Sequence, residues 1–164
     1  MNAKRPPNHE HIDHDMIKME VNFDDIPGEW LGYVMDLLFE SGANDVYYTP
    51  IYMKKNRPGT LLQLLCSNEH IDRMKEIIFR ETTTLGVRYY PLTVHRLERT
   101  FEQVLTEWGP VTVKKGMQGG HTVQWAPEFE ECKQIAQTHG IPLKKVYEQV
   151  WKSAGEESGN PQQD

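Results

Sequence analysis

Long apolar runs are missing from this 164-residue chain. Nothing approaches the roughly 18–20 residues that a helical membrane span needs, so no membrane partner is expected. Cysteine is scarce as well. Cys66 and Cys132 share no metal-type spacing. They are expected to be ordinary buried thiols in a reducing cytoplasm rather than a disulfide. Positive charge is in deficit: 18 Lys and Arg stand against 24 Asp and Glu, for a net charge of −6. That balance argues against nonspecific nucleic-acid binding but permits a local basic pocket. The N-terminus has no basic segment followed by an apolar stretch, so no secretory leader is expected. A Walker-type phosphate loop is also absent.

What is present sorts into four regions. Residues 1–15, MNAKRPPNHEHIDHD, have almost no apolar content and read as a flexible arm carrying His9, His11 and His14. Imidazoles of this kind suit nickel, copper or zinc, and equally a polar tail. Residues 16–100 hold the clearest periods, 101–154 form a smaller extension, and 155–164 read as a disordered tail.

In IKMEVNF, Ile17, Met19, Val21 and Phe23 alternate with polar residues, which predicts a half-buried strand. A helix follows, with Trp30, Val34, Leu37 and Leu38 on one stripe and Gly42 as its stop. DVYYTPIY and GTLLQLLC read as strands, the first irregular at Pro50. SNEHIDRMKEIIFRET reads as a helix capped by Ser67 or Asn68, with Ile71, Met74, Ile77 and Ile78 inward. GVRYYPLTVHRLER reads as one long strand interrupted by Pro91. Strand, helix, strand, strand, helix, strand is the ferredoxin-like βαββαβ order of an α+β fold. The sheet face away from its helices is expected to show Tyr47, Tyr48, Tyr89, Tyr90 and Leu92, and so to favour a homo-oligomer.

Beyond residue 100, two strands are predicted around Gly109-Pro110, as a C-terminal β-hairpin, followed by a GMQGG loop. A two-helix extension comes next. Phe129, Cys132, Ile135 and Ala136 face inward on the first helix, and Val146, Tyr147, Val150 and Trp151 on the second.

Three stretches carry candidate chemistry. MKKNRPG places Lys54, Lys55 and Arg57 beside Pro58 and Gly59. It is either a solvated hairpin tip or a phosphate cradle: arginine binds phosphate in bidentate fashion, and glycine lets backbone N–H groups approach an anion. In NFDDIPGEW, Asp24, Asp25 and Glu29 straddle a helix start. They suit helix capping, or a hard divalent cation held jointly with a substrate phosphate. RETTTLGVR offers Thr82, Thr83, Thr84 and Arg88, either as a helix stop or as phosphate donors. The final helix pair, with Lys144, Lys145 and Lys152, also fits a helix-turn-helix on a ligand-sensing module. A non-enzymatic oligomerisation domain is a further alternative.

NFDDIPGEWLGYVMDLLFESGANDVYYTPIYMKKNRPGTLLQLLC, IFRETTTLGVR, WGPVTVKKG and PEFEECKQIA together resemble the LarC family, nickel insertion proteins of nickel-pincer nucleotide cofactor biosynthesis. The resemblance covers about residues 18–150. It implies an enzyme, a nickel insertase of the metal chelatase-type lyase class. Such proteins use CTP with Mn2+ or Mg2+ to place Ni2+ into pyridinium-3,5-bisthiocarboxylic acid mononucleotide. The product has two sulfur–nickel bonds and one carbon–nickel bond and serves lactate racemase, whose apoprotein receives it. By that resemblance this chain is the C-terminal, CTP-binding part. Lys54, Lys55, Arg57, Gly59, Thr82, Thr83, Thr84 and Arg88 would hold the nucleotide, and Asp24, Asp25 and Glu29 the divalent ion. Most members carry a long N-terminal domain before this region, which is then an expected partner.

Overall fold

The structure is a computed structural model and describes residues 9–157. Expectations for 1–8 and 158–164 lie outside the described residues. The chain divides into two compact units, one over Ile12–His95 and one that joins residues 9–11 to the residues from Arg96 onward. The sequence reading drew that division at 100.

The first unit runs β1 (His11–Phe23), α1 (Gly28–Glu40), β2 (Asp45–Met53), β3 (Arg57–Ser67), α2 (Ile71–Glu81) and β4 (Arg88–Arg96). Its strands lie in the order β2-β3-β1-β4, and β3 is antiparallel to both β1 and β2. The period-2 pattern of β1 does what it predicts. Met19, Val21 and Phe23 are buried with Leu62 and Leu64 of β3, Val34 and Leu38 of α1, and Met74, Ile77 and Ile78 of α2. Trp30 was expected on the same stripe but is half exposed, because it lies in the first turn, where the stripe runs out of core.

β1 begins at His11, inside the expected arm. Its early residues gain a neighbour rather than a core: His14 Nδ1 lies 3.4 Å from Thr93 Oγ1 of β4. β2 passes through Pro50 without a break, opposite Thr60. Pro50 and Pro91 both sit on edge strands, where a missing N–H is tolerated. The turn before α2 is not capped by Ser67 or Asn68 through a side chain. Instead the Ser67 hydroxyl meets His70 Nδ1 at 2.7 Å.

The expected aromatic outer face needs correction. Adjacent residues of a strand point to opposite faces, so Tyr47 and Tyr48 cannot share one. The Tyr48 hydroxyl donates to the Leu31 carbonyl of α1 at 2.7 Å, and burial pushes its pKa up to about 12. Tyr89 likewise lies against Lys75 of α2, 5.7 Å from ring centre to Nζ.

The second unit is β5 (Glu98–Thr106), β6 (Gly109–Gln118), β7 (His121–Pro127), α3 (Phe129–His139) and α4 (Leu143–Glu157). The expected hairpin is a three-stranded antiparallel sheet, β5-β6-β7. Gly119 and Gly120, at φ 56° and 81°, form a two-residue turn that folds β7 back onto β6. The predicted long strand ends at Arg96, and β5 restarts at Glu98. Val104, Val111 and Val113 meet Cys132, Val146, Val150 and Ala154 in a second core. Phe129 and Trp151, expected inward, are half exposed. α3 stops at Gly140 in the left-handed region, as its sequence predicts, and α4 continues to Glu157, into the expected tail.

Candidate functional site

The antiparallel register of β1 and β3 sets Phe23 opposite Thr60. It therefore brings the Asp24-Asp25 pair, just past β1, beside Arg57, Pro58 and Gly59 at the start of β3. Arg57 Nη1 donates to Asp24 Oδ2 at 3.1 Å. The loop after α2 reaches the same place, where Thr83 Oγ1 donates to Asp25 Oδ1 at 2.8 Å. Three segments far apart in sequence are thus tied together by the aspartate pair, beside an open hollow of 240 Å³ lined by residues 23–26 of one segment and 58–60 of another.

The aspartates do not cap α1. Pro27 holds the N-cap position and makes no side-chain cap hydrogen bond. Both carboxylates are instead held by side chains of other segments. Glu29 stands exposed in the first turn of α1. Lys54 and Lys55 lie in a short turn in which Lys55 and Asn56 adopt left-handed backbone, at φ 62° and 57°. Neither lysine forms an ion pair among the described residues. Gly59 is required by close approach: a Cβ there would lie 2.5 Å from the Phe23 carbonyl oxygen and 2.8 Å from Met53 Sδ.

Other expected members are placed elsewhere. Thr82 Oγ1 donates to the Ile78 carbonyl at 2.6 Å, stopping α2. Thr84 Oγ1 donates to the Gly86 carbonyl at 2.9 Å, closing the loop on itself. Arg88 lies on the outer sheet face, where Nε donates to Glu20 Oε2 at 2.9 Å and Nη2 to Asn22 Oδ1 at 2.8 Å. No group of three His, Cys, Asp or Glu side chains able to hold a metal ion occurs among the described residues. Of the cations on the final helix, Lys145 is paired with Glu148 at 2.9 Å.

Sequence reasoning passed over the polar network on that outer face. Glu20 also accepts from the Tyr90 hydroxyl at 3.2 Å and pairs with Lys18 at 3.5 Å. Lys18 lies 5.8 Å over the Tyr47 ring, and Gln63 links Tyr47 to Thr49. Burial pushes the Glu20 carboxyl up, but the hydrogen bonds from Arg88 and Tyr90 and the charges of Arg88 and Lys18 outweigh it and hold it below its ordinary value. The signal was present in IKMEVNF, where the outward positions carry Lys18, Glu20 and Asn22.

The family profile described as nickel insertion protein matches residues 5–147. The chain belongs to the nickel insertion protein family. The pyridinium-3,5-bisthiocarboxylic acid mononucleotide nickel insertion protein of Acetivibrio thermocellus is 49% identical over 144 residues, 88% of this chain and 35% of that protein. The protein of the same description from Thermotoga petrophila is 42% identical over 144 residues, 88% of this chain and 36% of its own length. The chain therefore spans about a third of the length of these curated relatives. Among solved structures it is similar to LarC2, the C-terminal domain of a cyclometallase involved in the synthesis of the NPN cofactor of lactate racemase, in its apo form. That match has a TM-score of 0.82 and 38% identity, and covers 88% of this chain and 98% of LarC2. The nickel insertion family expected from the sequence is thus borne out.

Proposed function

We propose that this chain is the CTP-binding part of a nickel insertase, with nucleotide and divalent ion held at the end of the first sheet. The observation that carries this reading is the contact of Arg57 and Thr83 with the Asp24-Asp25 pair, which lines an open hollow. An exposed ion pair such as Arg57–Asp24 is worth about 0–1 kcal/mol, so opening it costs little. Each partner then has a ligand to serve. The guanidinium takes phosphate oxygens in bidentate fashion, with Lys54 and Lys55 adding point charge. The carboxylates suit Mn2+ or Mg2+, which bind through one or two carboxylates and complete their shell with substrate phosphate and water. A two-aspartate donor set fits that pattern, and Glu29, in the first turn of α1, is a further candidate carboxylate. Thr82, Thr84 and Gly59 hold the loops that present Thr83 and Arg57.

When bound, a nucleoside triphosphate supplies phosphoryl or nucleotidyl transfer chemistry. Ni2+ and pyridinium-3,5-bisthiocarboxylic acid mononucleotide are the substrates of the whole protein, and the lactate racemase apoprotein is the recipient of its product. The reading includes a cytoplasmic homo-oligomer, an N-terminal partner domain, and a first unit of ferredoxin-like topology, consistent with its strand order. It is tested by calorimetric titration with each of the four nucleoside triphosphates, with and without Mn2+. CTP binding that strengthens with the metal is expected. No binding of any triphosphate, or CTP binding indifferent to metal, overturns it.

A further inference from the structure

The second unit carries a hollow that the nucleotide reading does not use. On β6, Val111 and Val113 are buried against the helix pair. Residues of the other parity, Lys114 and Gly116, therefore face the opposite side of the sheet. Gly116 is paired with Arg99 of β5 on one side and with Gln124 of β7 on the other. The next row across the sheet is Phe101, Lys114 and Ala126. This face thus has a glycine on the central strand, where bulk is usual, and an alanine on the neighbouring edge strand β7. The resulting hollow is 270 Å³, and its lining includes Arg96, Arg99 and Lys114 and no acidic side chain.

Backbone geometry does not require glycine at 116. Its φ lies outside the left-handed region, although a bulge follows at Gly116/Met117. Crowding does not require it either. An added Cβ would meet Leu97 Cδ1 at 3.6 Å and the Gln124 carbonyl oxygen at 3.7 Å, which are ordinary contacts. Glycine inside a strand weakens it and often marks a place where a ligand approaches the backbone. Arg99 adds a second observation. It is half-buried and forms no ion pair among the described residues, in a chain with net charge −6. A partly desolvated cation without a counter-charge is costly until an anion joins it. Lys114 has only a long, exposed contact with Glu128 at 3.8 Å.

We propose that this hollow binds the flat anionic substrate, a pyridinium mononucleotide bearing acid groups on its ring, with the ring on the Gly116–Ala126 floor and its acid groups on Arg99, Lys114 and Arg96. The identity of the ring rests on the nickel-insertion reading. The flat floor and the surrounding cations rest on the fold alone. Ligand pockets usually run to about 300–1,000 Å³. Just below that range at 270 Å³, this one holds a single ring and its substituents rather than a nucleoside triphosphate. Arginine suits both demands, because it stacks on aromatic faces and grips acid groups in bidentate fashion.

The test is calorimetry on the whole chain with nicotinic acid mononucleotide, a pyridinium ring with one carboxylate and one phosphate, run beside CTP. Wild type binds the probe. Arg99→Gln weakens it about tenfold or more, since charge-assisted hydrogen bonds are lost. Gly116→Val fills the floor and abolishes binding. Gly116→Ala, which fits without a clash, weakens it to an intermediate degree and stands in should the valine variant misfold. CTP affinity is unchanged in all three. Failure of wild type to bind the probe overturns the proposal, as does equal affinity in wild type and variants. A change in association state alone also overturns it, making the hollow a contact surface. If CTP binding persists through these failures, the nucleotide reading stands without this one. Loss of CTP binding with the probe still bound would have the opposite meaning.

Discussion

Arg57 donates across 3.1 Å to Asp24, two residues that lie 33 positions apart in sequence and at opposite ends of antiparallel neighbouring strands. The pair ties the cationic turn to the acidic one, so charge changes at either are read by the other.

Replacing Lys54, Lys55 and Arg57 together by alanine should lower CTP affinity at least a hundredfold, because each charge-assisted contact is worth about 1.5–3 kcal/mol. All three side chains are exposed, so the melting temperature should hardly move. Calorimetry and circular dichroism check both halves. Unchanged affinity in a folded triple variant would make the turn a solvated tip.

Asp25→Asn is the sharper probe of the divalent ion. The amide oxygen still accepts from Thr83, so the loop stays tied, but the charge is gone. Asp24→Asn removes the charge opposite Arg57 in the same way. The enhancement of CTP binding by Mn2+ should fall about tenfold or more in each variant, as a hard cation needs anionic oxygen. Full retention of the metal effect would leave the aspartates as struts only.

Gly59→Ala addresses the scaffold. The new methyl meets backbone at 2.5 Å, and a carbonyl cannot swing aside as a side-chain tip can. A loss of about 1–3 kcal/mol is expected from such overpacking. Urea denaturation measures it, and a shift below about 0.5 kcal/mol would show that β1 and β3 separate easily.

Glu20 supplies a pH signature. Its carboxyl titrates below its ordinary 4.5 in the fold, so the folded state holds its proton less tightly than the unfolded chain does. Its contribution is complete above 4.5 and fades as pH falls from there through the folded value. Wild type should therefore lose stability faster than Glu20→Gln on acidification below 4.5, as followed by thermal melts. Parallel curves would remove Glu20 from the acid limb.

Much of this was legible in the residues themselves. The alternation Ile17-Met19-Val21-Phe23 and the spacing Met74-Ile77-Ile78 name their buried faces without help. DDIPGE, KKNRPG and TTT could each be marked, but their meeting depends on register: Phe23 opposite Thr60 is a tertiary fact, and a one-residue slip would separate Asp24 from Arg57. Arg88 stands in RETTTLGVR as a cation beside the threonines. Its side chain projects from a strand onto the outer face, where Glu20 claims it. β7 was missed because HTVQWAP has few apolar positions and leans on β6 for its order. The Gly119-Gly120 turn signal was there to be read.

Pro50 and Pro91 have a consequence for assembly. β2 and β4 are the two margins of the first sheet, and each carries one residue with no N–H to offer an incoming strand. Proline on an edge is a recognised guard against continued β-pairing. Each margin of the first sheet thereby carries one interruption to continued β-pairing. Association of copies by faces or helices is favoured over edge-to-edge pairing, and with it finite symmetric particles over fibres.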